Sequence, residues 1–254
     1  MKKVFLLVAT SLALLLVPGR KGFGQGRFNF GVKAGLSVPN LTSGSSSPVS
    51  SGYGSRLDAD AAIQAGLNLT NRFSIEAQLE YSSQGGKKNG TQAFLVPAEM
   101  VQLFPEGQVP DYLYATYMSE ARMNYLVLPV LAKYRLDLKE RFGAYIAAGP
   151  FVSYLLSARN ITKGSSLIYL NKEETQPVTP QPQSFDSKDN IRDELHHFNT
   201  GVSGHVGIDY KLSNGSIFIE AGGNYGLINI QKNQVDGKNK TGAFVLNLGY
   251  QFRL

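Results

Sequence analysis

Eight times along its 254 residues this chain alternates apolar with polar or glycine side chains, and a segment with that period folds as a strand. In the first run Phe28, Phe30, Val32, Ala34, Leu36 and Val38 share one face, and Arg27, Asn29, Gly31, Lys33, Gly35 and Ser37 the other. The second sets Leu57, Ala59, Ala61, Ile63, Ala65, Leu67 and Leu69 against Asp58, Asp60, Gln64, Gly66 and Asn68, and the third Phe73 to Tyr81 against Ser74, Glu76, Gln78, Glu80 and Ser82. The fourth, Asn124 to Leu136, is less regular, because Tyr125, Val127 and Leu131 stand on the face that also carries Lys133 and Arg135. Four more follow, near Phe142–Leu156, Asn199–Leu212, Ile217–Leu227 and Phe244–Leu254. Runs of about ten residues, each with one apolar and one polar or glycine-rich face, predict the strands of a transmembrane β-barrel.

The connections alternate in length as such a barrel requires. Thr70-Asn71-Arg72, Asp137–Arg141 and Asn214-Gly215 are short, whereas Pro39–Arg56, Gln84–Arg122 and Arg159–His197 are long and Gln231–Lys240 is intermediate. Short turns belong on the periplasmic side and long loops outside. On the apolar face, Phe28, Phe30, Phe73, Tyr134, Phe142, Tyr210, Tyr250 and Phe252 cluster near the short turns. Tyr81, Tyr154, Phe198 and Tyr225 cluster near the long loops, with aliphatic residues between the two groups. Two aromatic rows around an aliphatic band predict two lipid interfaces, whereas a soluble barrel would turn its apolar face inward.

Residues 1–24 read as a secretory signal peptide: Lys2-Lys3, the apolar Val4 to Val17, then small residues at Gly22 and Gly24 before Gln25. The apolar part falls short of the ~20 residues a spanning helix needs. That leaves 25–254 as a single barrel domain. Four of the basic residues fall in the leader, so the formal charge of +6 drops to +2, which gives no basis for nucleic-acid binding. The absence of cysteine excludes a disulfide framework, a thiolate metal site, a cysteine nucleophile and a lipoprotein anchor. At the other end, Asn247 to Leu254 resembles the insertion signal read by the outer-membrane assembly machinery, departing from it by ending in Leu254 instead of an aromatic residue.

From about Phe30 to Phe252 the chain resembles the PorT-like outer-membrane β-barrel proteins, commonly described as porin-family. The resemblance is carried by Gly31–Leu36, Glu80–Lys87, Asn124–Tyr134 and Gly149–Ala158. It implies an outer-membrane barrel and, for the one well-known role, assistance to a protein secretion system, without a residue motif that carries that role.

The inward face is predicted to hold Lys33, Asp58, Asp60, Glu76, Glu80, Lys133, Arg135, His205, Asp209, Lys211, Glu220 and Arg253. Eight strands leave an interior that side chains can fill, so these charges are read as an ion-pair network plugging the lumen, centred on Lys33, Glu76, Glu80, Lys133, Arg135, His205, Asp209 and Glu220. A narrow solute path is the alternative. A tight turn at Asn214-Gly215 would set Asp209 directly opposite Glu220, a like-charged pair that needs Lys33, Lys133 or Arg135 within reach, with Glu76 competing. His196-His197 with Asp193 and Glu194 lies in a Pro-rich polar stretch without the spacing of a metal or hydrolase site, so no catalytic, cofactor-binding or metal residue is assigned. The apolar Ala93–Phe104, with Tyr112, Tyr114 and Tyr117, predicts a cap over the barrel mouth or a partner patch. Gly201–Gly207 lies inside a strand, where its glycines make room for lumen side chains and form no phosphate cradle.

The sequence thus predicts an all-β, eight-stranded antiparallel transmembrane barrel with short periplasmic turns and long extracellular loops, monomeric and located in the outer membrane. Its role is read as non-enzymatic, structural or interactive through its loops or accessory to secretion, with a narrow passive porin as the alternative. The implied partners are outer-membrane lipid, the assembly machinery during insertion and an envelope or secretion complex.

Overall fold

The computed structural model describes residues 28–44, 47–233, 235 and 237–253; the signal-peptide reading of 1–24 and the terminal Leu254 lie outside the described residues. The strands are β1 (Phe28–Ser43), β2 (Asp58–Asn68), β3 (Phe73–Leu95), β4 (Tyr112–Asp137), β5 (Phe142–Lys163), β6 (Ser165–Ser166), β7 (Gln183–Ser184), β8 (Ser187–Asn190), β9 (Phe198–Leu212), β10 (Gly215–Gly226) and β11 (Asn239–Arg253). Eight of them, β1 to β5 and β9 to β11, pair antiparallel in a closed ring, with β1 joining β11 and β5 joining both β4 and β9.

The stagger of that ring follows from its pairings. From Phe28 the partners run Leu67, Ile75, Ala132, Ala148, Gly204, Gly223 and Phe244 and return to β1 at Val38, ten residues further along. A stagger of ten over eight strands, at ~3.3 Å per residue and ~4.8 Å between strands, inclines the strands by about 40° to the axis. Alternate residues then separate cleanly. Val32, Leu36, Ile63, Leu79, Ile146, Val206, Ile219 and Leu248 are exposed on the outside, while Lys33, Asp60, Gln64, Gln78, Tyr145, His205 and Glu220 are buried within. The aromatic rows also lie outside, with Phe142 on Tyr210, Tyr250 on Phe252 and Tyr154 on Phe198 at centroid distances of 5.0, 4.6 and 5.1 Å.

Two features depart from the sequence expectations. First, much of what reads as loop is strand: β3 continues to Leu95, β4 starts at Tyr112, and β5 runs past Arg159 to Lys163. A membrane crossing needs about 9–11 residues, so more than half of the 23-residue β3 and 26-residue β4 projects beyond it. There both faces meet water or other loops, so the apolar alternation disappears while backbone pairing continues. β8 pairs with the far end of β5, giving a four-stranded sheet β3–β4–β5–β8 above the ring.

Second, the tight turn is Ser213-Asn214, not Asn214-Gly215. Leu212 therefore pairs with Gly215, Asp209 faces Phe218 and Glu220 faces Gly207, so the two acids are not directly opposed. In the ladder the Gly215 backbone lies so close to β11 that a Cβ there would fall 2.2 Å from the Gln251 carbonyl oxygen and 2.8 Å from the Tyr250 hydroxyl, so the position admits only glycine.

Large rings lie over lumen glycines. A Cβ on Gly207 would fall 2.3 Å from Tyr145, and one on Gly249 would fall 2.2 Å from Phe218. Gly207→Val is therefore expected to block barrel formation, read as loss of the heat-modifiable, fast-migrating band on cold SDS gels, whereas Ile208→Ala on the outer face keeps that band. A compact Gly207→Val barrel would contradict this packing.

Candidate functional site

The interior is the one place where sequence reasoning concentrates chemistry, and it is stratified along the axis. At the short-turn end a cavity of about 710 Å³ opens between Asn29, Asn68, Asn71, Lys211, Ser216 and Gln251, with Lys133, Tyr145 and Phe218 deeper in its lining. On its wall the Arg135 guanidinium grips Asp209 with two bonds, Nε to Oδ1 at 3.0 Å and Nη2 to Oδ2 at 2.8 Å, and also reaches Asp137, which accepts from Lys211 at 2.8 Å. Two-pronged guanidinium–carboxylate contacts fix geometry as well as charge.

In the next layer Lys133 Nζ donates to Glu76 at 3.1 Å and lies 3.9 Å from the centre of the Tyr145 ring, while Gln78 donates to the other Glu76 oxygen at 2.8 Å. Above it Glu220 is the most heavily engaged acid. It accepts Lys33 Nζ at 2.8 Å and the Tyr145 hydroxyl at 2.9 Å, and His205 Nδ1 stands 3.2 Å away. The Lys33 and Glu220 side chains are 0% and 1% exposed, so their pairing has to offset the desolvation of both. His205 is anchored by Ser203 at 2.8 Å. Glu80 lies beside Asp60 and Asn224 and makes no ion pair among the described residues; Asp60 accepts from Asn247 at 3.0 Å. Of the predicted charge residues the fold thus brings together Lys33 with Glu220 and His205, Lys133 with Glu76, and Arg135 with Asp209. Glu80 lies near Lys33 without forming an ion pair of its own among the described residues, and Asp58 sits at the far rim with Arg56.

Further along the axis the lumen turns apolar, which sequence reasoning missed. Tyr125, Met123, Val127, Leu155, Phe151, Ala158, Ala121 and Leu41 form a buried cluster, closed from outside the ring by Leu195 and Ile230, with Tyr53 and Ile191 packed against it. The signal was present as Tyr125 and Val127, whose inward position made the fourth run look irregular. The cap therefore comes from Tyr53, Ile191, Leu195 and Ile230 of the long connections. Ala93–Phe104, the expected cap, instead ends the projecting hairpin, and its 3₁₀ turn Ala98–Leu103 buries nothing. Burial against this cluster pushes the Tyr53 phenol up to about 12.

The histidine stretch lies at the long-connection end, beside Tyr154. His197 Nε2 is 3.8 Å from Asp193, its ring meets Tyr154 edge-on, and no group of three or more potential metal ligands occurs among the described residues.

Lys33 also neighbours Glu80 and Asp60, so the two halves of its pair are not equivalent. Lys33→Met leaves three acids together without their lysine and is expected to lower stability in urea titrations by about 3–5 kcal/mol. Glu220→Gln, which leaves Lys33 two other acids, should cost clearly less. Equal losses, or a smaller loss for Lys33→Met, would contradict this arrangement.

A family model described as the outer membrane protein β-barrel domain matches residues 20–232. A search of the curated proteins finds no match. Solved structures similar to this chain include Ail of Yersinia pestis, 11% identical, covering 90% of this chain and 100% of that one with a TM-score of 0.37. Neisserial surface protein A is 13% identical, with coverage of 89% and 97% and a TM-score of 0.39. The N-terminal barrel of Pseudomonas aeruginosa OprF is 10% identical, with coverage of 90% and 100% and a TM-score of 0.33.

Proposed function

We propose, from the premise that the chain belongs to the outer membrane protein β-barrel domain family and resides in the outer membrane, that it is a non-enzymatic, non-conducting barrel. On this reading it acts through the sheet and connections at its long-loop end as a structural or interaction component of the envelope. The observation that carries this reading is the filled lumen: ion pairs occupy one half and an apolar cluster beneath the cap occupies the other. The elaborated part of the molecule is then the projecting β3–β4–β5–β8 sheet. An interior without a path has no use for that projection in transport, whereas a surface held clear of the lipid suits contact with a partner.

The same reading places the short turns 69–72, 138–141 and 213–214 in the periplasm and the long connections outside. Within the family, the segments Gly31–Leu36, Glu80–Lys87, Asn124–Tyr134 and Gly149–Ala158 support a PorT-like relationship and, with it, an accessory role in an envelope or secretion complex. A narrow porin is the second reading. It is favoured by the polar cavity of about 710 Å³ at the short-turn mouth, which the Lys133–Glu76 and Lys33–Glu220 layers and the apolar cluster close from above.

In planar bilayers the purified barrel is expected to show no steady conductance, and large stable channels would favour the porin instead. Protease added to intact cells is expected to cut within 164–197 and spare 138–141, and the opposite pattern would invert the orientation. A tagged form solubilised from envelopes is expected to carry a stoichiometric envelope partner that is lost when 96–111 is replaced by a short Gly-Ser turn. Recovery of both forms as lone monomers would refute the interaction role.

A further inference from the structure

Above the lipid, β3 keeps β4 on one edge as far as Leu95, while its other edge runs out of partners. β2 covers that edge up to Ser82, and Gly54 covers it at Lys87, the two residues exchanging backbone bonds of 2.7 and 2.9 Å. An antiparallel strand turns the N–H and C=O of alternate residues to the same side, so those of Asn89, Thr91, Ala93 and Leu95 follow Lys87 and point away from β4. The facing strand agrees. Tyr114, opposite Ala93, directs its own N–H and C=O to Tyr169 at 2.9 and 2.8 Å, on the side away from β3. None of the four β3 residues has a backbone partner on its open side among the described residues.

Elsewhere the projecting sheet covers its edges. Past the end of β5, β4 is covered by Tyr169 and by Ser166, whose hydroxyl accepts from the Thr116 N–H at 3.1 Å, and β5 itself is covered by β8. β8 forms the opposite edge, but it has only 4 residues and carries Lys188 and Asp189, charges of the kind that keep an edge from pairing with other chains. Asn89–Leu95 has no such guard, for it contains no Lys, Arg, Asp, Glu or Pro. Phe94 packs on Tyr117 and Phe185 at centroid distances of 6.5 and 5.7 Å, which holds the edge in place. From Tyr81 to Asn89, ~3.3 Å per residue and a tilt of about 40° raise the edge about 20 Å above the aromatic row, well clear of lipid.

An uncharged open edge is a template for one kind of occupant, an extended strand, because a strand repeats donors and acceptors at the spacing β3 offers. A second copy does not fit. Two upright barrels in one membrane are related by rotation about its normal, and at a tilt of about 40° a two-fold axis makes their β3 strands cross at about 80°, against the roughly 20–25° between neighbours in a sheet. The side chains along the open edge, Thr91, Ala93 and Leu95 on one face and Gln92 and Phe94 on the other, are neutral, and Glu174 is held by the Thr91 and Thr116 hydroxyls. They suit a strand rich in β-branched and aromatic residues and not a charged one.

We propose that β3 from Asn89 to Leu95 receives an added strand from an extended, uncharged segment of another envelope protein. This rests on the interaction reading and deepens it by giving the partner's contact a form. The open edge runs directly into the turn at 96–111, so one partner covers both.

Two cyclic, two-stranded peptides with the exposed edge Thr-Val-Thr-Val-Thr serve as probes, one with free edge amides and one with those amides N-methylated. By fluorescence anisotropy the free peptide is expected to bind the purified full chain at least ten-fold tighter than its methylated twin. Proline at a residue whose N–H points to the open side removes that donor and leaves the ladder to β4 intact, so Ala93→Pro and, separately, Asn89→Pro should each abolish the preference. Ala93→Ser, which keeps the N–H, should retain it, and cold SDS migration checks the folding of all three. Equal binding of the two peptides, or a preference that both proline variants retain, would overturn the site. A dimer in sedimentation velocity that Ala93→Pro dissociates would assign the edge to a second copy and overturn the partner assignment. The peptide assay needs no cellular partner, so the two readings fail separately. An envelope partner that co-purifies equally with Ala93→Pro overturns the edge and leaves the interaction role standing, whereas lone monomers from envelopes refute that role, and the occupant with it, even where the peptide binds.

Discussion

Hydrocarbon offers backbone N–H and C=O groups no partner, so a sheet that enters it cannot keep an open edge. Every other feature of this molecule follows from how that demand is met. The edges of β1 and β11 satisfy each other from Asn29–Arg253 to Ser43–Asn239, and the ring closes with a stagger of ten residues. Closure at eight strands fixes an interior of side-chain width. That width explains why Gly207 and Gly249 lie under Tyr145 and Phe218, since full side chains at all of these positions would not fit together.

The interior is filled in two ways because its two ends face different surroundings. Toward the short turns it stays open to water through the cavity, and charged residues there meet in complementary pairs, Arg135 with Asp209 and Lys133 with Glu76. Toward the long connections, loop residues fold back over the ring, and Leu195, Ile230 and Tyr53 find Tyr125, Met123 and Phe151 beneath them. Between these regions Lys33 and Glu220 lie fully buried, and their losses are unequal: without Lys33 three acids stand together, whereas without Glu220 the lysine keeps Glu80 and Asp60.

The outward face was legible in the sequence wherever lipid contact enforces it. Phe28 to Val38 and Phe73 to Tyr81 alternate because one side must be apolar along the whole crossing. Beyond Tyr81 that pressure ends, and Gln84–Leu95 reads as loop although it pairs residue by residue with Tyr112–Met123. The turn at Ser213-Asn214 was misplaced by one residue because Asn-Gly is a strong local signal, while the packing of Gly215 against Gln251 and Tyr250 is a tertiary one. The charged lumen residues could be assigned to a face, but not to partners. Which acid meets Lys33 depends on stagger, and stagger is a property of the closed ring. The apolar cluster was visible only as an irregularity at Tyr125 and Val127, for an inward aromatic looks like noise until loops are known to pack on it.

The central claim is that lipid surrounds only the lower part of the long strands and that the sheet continues beyond it into water. The chain has no cysteine, so single cysteines can carry a nitroxide label at each position of β3 in turn, from Phe73 to Leu95, in reconstituted membranes. Collision with oxygen against collision with a water-soluble nickel chelate then reads lipid and water contact along the strand. The account predicts oxygen maxima at alternate positions from Phe73 to Tyr81, giving way to nickel contact on the outward residues from Lys87 to Thr91. Oxygen maxima continuing through Thr91, or maxima at Glu76, Gln78 and Glu80 instead of their neighbours, would contradict it.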